Sequence, residues 1–97
     1  MNIVAAAIGS ELHCVGLDDS GRICHRIRGG HGAWSPWGRL PESGFVSVSA
    51  VGVDAELHIV AITAEGIIWH NIRKEDESWQ GWGQLPDQPL LGLFNEE

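Results

Sequence analysis

Glu56-Leu57-His58-Ile59-Val60-Ala61-Ile62-Thr63-Ala64-Glu65-Gly66-Ile67-Ile68-Trp69-His70-Asn71-Ile72-Arg73 decides the fold, because its anchors occur once before in the chain at one constant offset. Glu11-Leu12-His13 stands 45 residues ahead of Glu56-Leu57-His58, and Gly21, His25, Ile27 and Arg28 stand the same distance ahead of Gly66, His70, Ile72 and Arg73. Further on, Trp34, Trp37-Gly38 and Leu40-Pro41 recur as Trp79, Trp82-Gly83 and Leu85-Pro86. From Glu11 to Pro41 the copies share 14 of 31 positions without a gap, which marks a tandem duplication. The chain therefore divides into repeat 1 over 1–44, repeat 2 over 45–89 and a C-terminal strand or tail over 90–97.

Within each copy, β-branched and apolar residues come in short runs parted by Gly, Asp, Pro and Ser, with no helical period, and such runs read as strands. The second copy predicts strands over 45–52, 56–63, 66–73 and 79–85; the first predicts them over 2–8, 11–17, 22–28 and 34–40. Asp18-Asp19-Ser20-Gly21 has the composition of a tight hairpin loop, and Thr63-Ala64-Glu65-Gly66 keeps the glycine that such a turn requires. The central strands carry apolar residues on both faces, as in Leu57, Ile59, Val60 and Ile62, so both faces are expected to be covered. A four-stranded antiparallel unit covered on both sides and repeated every ~40 to 50 residues is the pattern of a propeller blade. The expected fold is all-β, with two such blades per chain and a β-propeller completed by oligomerisation.

Length and composition point the same way. Ninety-seven residues make one small domain with a modest core. Two cysteines, Cys14 and Cys24, are too few for a disulfide framework, so association between chains is the expected source of additional burial. Thirteen acidic against six basic residues give a net charge of −7, which disfavours nucleic acid and anionic membrane surfaces as partners. The opening Met1-Asn2-Ile3-Val4-Ala5-Ala6-Ala7-Ile8 lacks the basic flank and apolar length of a signal peptide, and no stretch is long enough to span a bilayer. A soluble, cytoplasmic chain is the default expectation, with export by a route lacking a signal peptide left open.

Gly66-Ile67-Ile68-Trp69-His70-Asn71-Ile72-Arg73 followed by Trp79-Gln80-Gly81-Trp82-Gly83 resembles the bacterial Photorhabdus-type lectins, which are tectonin-like β-propellers. Gly21 to Arg28 with Trp34-Ser35-Pro36-Trp37-Gly38 is the second, weaker copy, with Cys24 at the place of Trp69. The resemblance covers nearly the whole chain as two blades. It implies a sugar-binding propeller with fucose or O-methylated sugars as ligands, and a full ring of blades. Three chains would supply six blades and four would supply eight, with three slightly favoured.

Tryptophan suits sugar recognition because its flat face packs on the C–H face of a pyranose while its N–H stays free to donate. Trp34, Trp37, Trp79 and Trp82 are the candidate stacking residues, and His25, Arg28, His70 and Arg73 the candidate hydrogen-bonding partners. The competing reading is structural: the indoles fill the wedge between blades, Trp69 packs in the core, and the histidines and arginines bond to Glu11 and Glu56. Cys14, Cys24, His13 and His25 could be drawn as a zinc site, but neighbours on a strand face opposite ways, so neither a metal nor a cofactor is expected. Free thiols are the default reading for the cysteines, ahead of a disulfide across the hairpin. No nucleophile elbow, His-Glu-x-x-His or phosphate loop is present, so no enzymatic activity is expected. The leading reading is a multivalent lectin with sugar in tryptophan-lined grooves between blades; the alternative is an oligomeric interaction propeller that binds no sugar.

Overall fold

The structure, a computed structural model, describes residues 3–85. Eight strands follow the two copies in order: β1 Ile3–Ile8, β2 Glu11–Leu17, β3 Ile23–Arg28, β4 Gly38–Arg39, β5 Phe45–Val53, β6 Glu56–Thr63, β7 Ile68–Arg73 and β8 Gly83–Gln84. They form two four-stranded antiparallel sheets, β1-β2-β3-β4 and β5-β6-β7-β8, each a meander in chain order. No helix occurs among the described residues, so none there is long and apolar enough to cross a membrane. The segment 90–97 lies outside the described residues.

The hairpins follow from local chemistry. Gly21 has φ +79° and its N–H donates to the Asp18 carbonyl at 3.0 Å. The Asp18 carboxylate accepts from the backbone N–H of Arg22 and from both the hydroxyl and N–H of Ser20, all within 3.0 Å. Those bonds favour the charged form, and the Arg22 amide followed by the Ser20 hydroxyl holds the carboxyl down at about 2. At the matching turn Gly66 has φ +88° and donates to the Thr63 carbonyl at 2.9 Å, while Thr63 Oγ1 accepts from Ile67 N–H. The glycine is shared because a left-handed backbone is required at that point; the side chain that secures the turn differs.

The fourth strands are shorter than the sequence predicts. Instead of continuous strands over 34–40 and 79–85, each sheet has a single bridge, Arg28 to Trp34 or Arg73 to Trp79, then a break, then two paired residues. The break falls at Pro36, which has no N–H to give a ladder, and at Gly81, whose φ of +105° leaves strand geometry.

Register places alternate residues on opposite faces. On the first sheet His13, Val15, Ile23 and His25 share one face, and Leu12, Cys14, Cys24 and Arg26 the other. On the second, Leu57, Ile59, Ala61 and Asn71 share one face, and His58, Val60, Ile62 and His70 the other. The core lies between the sheets, where Val15 and Ile23 meet Leu57, Ile59 and Ala61, all fully buried, with Trp69, Trp79 and Trp82 packed at its margin. The His13 face of the first sheet is thus seated on the Leu57 face of the second. β1 and β5 run so close that a Cβ at Gly52 would collide with the Ala7 carbonyl. The linker is pinned beside the first turn, with Gly44 and Phe45 donating to the Ser20 and Gly21 carbonyls. The outer face of each sheet is left open.

Candidate functional site

The break before β8 sends Trp79 and Trp82 to different places. Trp82 packs on Phe45, ring centroids 4.9 Å apart, and its Nε1–H donates to Glu42 Oε1 at 3.1 Å. With Trp69 it walls a cleft of about 410 Å³ whose other lining residues are Glu42, Ser43, Phe45 and Thr63. The volume lies in the range of small-ligand sites. Its chemistry combines two indoles with a carboxylate and two hydroxyls at the rim. The cleft draws Glu42, Ser43 and Phe45 from the linker and the start of β5, Thr63 from the end of β6 and Trp69 from β7.

Trp79 turns toward the first sheet. Its ring meets His25 edge-on, centroids 5.8 Å apart at 86°, and with His25, Gly38, Arg39 and Leu40 it encloses about 110 Å³. That space is well below the usual size of a ligand pocket. His25 lies 2.9 Å from His13, Nε2 to Nδ1, and His13 Nε2 lies 3.0 Å from Glu11 Oε1. A carboxylate only accepts, so His13 Nε2 carries a proton and, in the neutral pair, its Nδ1 accepts from His25 Nε2–H. Burial, with the charges of His13 and Arg73 added, lowers His25 to about 4. The same row recurs as Glu56–His58–His70 with the same 3.0 and 2.9 Å separations, on the open face of the second sheet.

On the open face of the first sheet, the Arg26 guanidinium lies against both Trp34 and Trp37, its carbon 5.1 and 5.2 Å from the two ring centroids. Arg26 Nε–H also donates to the Ser35 carbonyl at 3.0 Å, which holds the fork beside the rings. Shallow hollows of about 220 and 230 Å³ flank this stack, bordered by Ile3, Cys14, Cys24 and Trp37 among others. In the second sheet the equivalent of Arg26 is Asn71, almost fully buried; its Oδ1 accepts from Gly81 N–H at 3.0 Å and Ile72 N–H at 2.8 Å.

Of the candidates read from the sequence, Trp34 and Trp37 come together, whereas Trp79 and Trp82 open into separate clefts. His25 and His70 bond to His13 and His58. Arg73 lies 3.8 Å from Glu77 and exerts its charge on His25, and Arg28 is exposed beside Gly32. Glu11 and Glu56 bond to the histidines of their own strands rather than to these arginines. The cysteines are free thiols, paired in register with Arg26 and Gly16 rather than with each other. They stand on the face opposite His13 and His25, and no cluster of metal-ligating side chains occurs among the described residues. Arg26, Glu42, Ser43, Phe45 and Thr63 escaped the sequence reading, which also placed Trp69 in the core alone. Glu42 carried a signal, since an acidic residue follows Leu-Pro in both copies, as Glu42 and Asp87.

No protein-family model matches this chain, and neither a curated protein nor a solved structure is significantly similar to it. The fold and site define it as an all-β protein of two duplicated four-stranded sheets packed face to face, with a tryptophan-walled cleft between the linker and the second sheet.

Proposed function

We propose that the chain is a carbohydrate-binding module, a two-blade section of a β-propeller that closes by self-association and holds sugar in the Trp69–Trp82 cleft. The observation that carries this reading is the chemistry of that cleft. Two indoles offer flat apolar surface to the C–H face of a pyranose. Glu42 accepts from sugar hydroxyls, and Ser43 and Thr63 both donate and accept. Trp82 is oriented beforehand by its bond to Glu42 and its contact with Phe45, which lowers the cost of ordering it on binding. Weak single sites repeated around a ring gain strength on clustered glycans through effective concentration. The resemblance to Photorhabdus-type lectins makes fucose and O-methylated sugars the first ligands to test.

A glycan array followed by calorimetric titration of the leading sugar tests the proposal. Trp69→Ala and Glu42→Gln should each lower affinity about tenfold, the effect of losing ~1.4 kcal/mol, in a chain whose circular dichroism is unchanged. An array with no sugar preference would refute it. The cleft would then read as packing, as the Trp82–Phe45 contact suggests, and the chain as an interaction propeller.

A further inference from the structure

Within the chain, the face of the first sheet that carries His13, Val15, Ile23 and His25 is covered by the face of the second that carries Leu57, Ile59 and Ala61. Duplication means that each sheet owns both kinds of face, and one of each is left open. Val60 on the open face of the second sheet holds the place of Val15, which is fully buried, and half-buried His58 that of fully buried His13. On the open face of the first sheet, Leu12, 37% exposed, holds the place of Leu57, 0% exposed, and half-buried Cys14 that of fully buried Ile59. Trp34 and Arg28 hold the places of Trp79 and Arg73, the two residues of the second sheet that act on His25.

We infer that two copies of this chain join head to tail through these faces, the Glu56–His58–His70 face of one seated on the Leu12–Cys14–Trp34 face of the next. The inference rests on the self-closing reading above and specifies its surfaces and partner: a second copy. The template is the junction already present inside the chain. A back-to-back dimer would instead set Leu12 and Cys14 against their own counterparts and leave both His58 and His70 uncovered. Head-to-tail contact uses one face of each kind per copy and so continues from chain to chain until the ring closes.

The histidines show the same correspondence. His25 is faced by His13 on β2, by Arg73 and Trp79 from the second sheet, and shares its cleft with Arg39. His70 is faced by His58, and through it Glu56, within its own sheet; closure would bring Arg28 and Trp34 of the next copy over it, with Gln84 in the place of Arg39.

The test is the solution mass of the full chain and two variants by light scattering. Val60→Asp and Cys14→Asp each place a carboxylate at the centre of one open face. Each variant alone should remain a single chain, while an equimolar mixture should form a two-chain complex and stop there. Self-association of Val60→Asp at wild-type strength would overturn the head-to-tail mode, because only a symmetric contact through the first sheet survives that change. Should either variant fail to fold, the wild type decides. Its association should weaken on Leu12→Ala, and an unchanged association constant in that variant would overturn the inference. A wild type that stays a single chain at high concentration would sink the self-closing reading itself. Loss of glycan binding alone would leave the junction standing.

Discussion

Leu12 and Leu57 are the same residue at the same place in the two copies, yet Leu57 is fully buried between the sheets while Leu12 is 37% exposed on an open face. Truncating each to alanine turns that difference into energy. Leu57→Ala removes most of a buried side chain from a core with little room to collapse, since Ile59, Ala61 and Val15 beside it are fully buried; such truncations cost about 3 kcal/mol. Leu12→Ala, in a chain kept single by submicromolar dilution, loses only partial burial and opens no closed cavity, for a cost of about 1 kcal/mol. For a chain of this size the melting temperature should fall by roughly 12–20 °C for Leu57→Ala and about 5 °C for Leu12→Ala. Urea unfolding followed through tryptophan fluorescence gives both values, and the mass at high concentration adds a second contrast. Leu12→Ala should weaken assembly while leaving the chain nearly as stable, and Leu57→Ala should do the reverse. Equal costs in the dilute chain would refute the reasoning, because they would mean that the Leu12 face is already covered from within.

Other consequences are as direct. Gly21→Ala should cost at least ~2 kcal/mol, because φ is +79° and the new Cβ would lie 2.6 Å from the Phe45 carbonyl oxygen; Gly9→Ala, with φ +57° and nothing within 4 Å, should cost only ~1 kcal/mol in the same denaturation assay. His25 is lowered on folding, so the unfolded chain binds the extra proton. Stability of the dilute chain should therefore be full above pH 6.5 and decline as pH falls toward 4. Thermal melts across that interval should show the slope, and His25→Gln should remove it while His70→Gln leaves it in place. Asp18, held at about 2, contributes stability above its ordinary range that is lost as pH falls toward 2, so Asp18→Ala should destabilise at pH 7 and have less effect near pH 2.

The fold was legible wherever the two copies agree, because a residue kept at a fixed offset reports a shared geometric demand. Gly21 and Gly66 marked turns that need a positive φ, and the alternation around His13-Cys14 and Cys24-His25 separated the histidines from the thiols onto opposite faces. The cleft was less legible, since its features lie where the copies differ or fall outside the matched stretch. Arg26 and Asn71 are not alike in sequence, yet each fixes the loop beside its tryptophans, one by a guanidinium set against two rings and the other by a carboxamide that accepts from Gly81 N–H. Three-residue spacing could not say that Trp79 and Trp82 would part, because the backbone turn at Gly81 decides it. Glu42 and Phe45 belong to the linker, whose path depends on the Ser20 and Gly21 carbonyls that it meets in space.

The brevity of β4 and β8 has a consequence for how such a chain can grow. Strand addition needs a long row of unpaired backbone groups along an outer edge, and two-residue strands offer almost none. Along that edge the sheet faces are left as the surface for the proposed self-association, in which a repeated rotation that closes would yield a finite ring rather than a fibre. The clipped strand works as a safeguard: it leaves that edge of each sheet with little backbone to offer a stray partner.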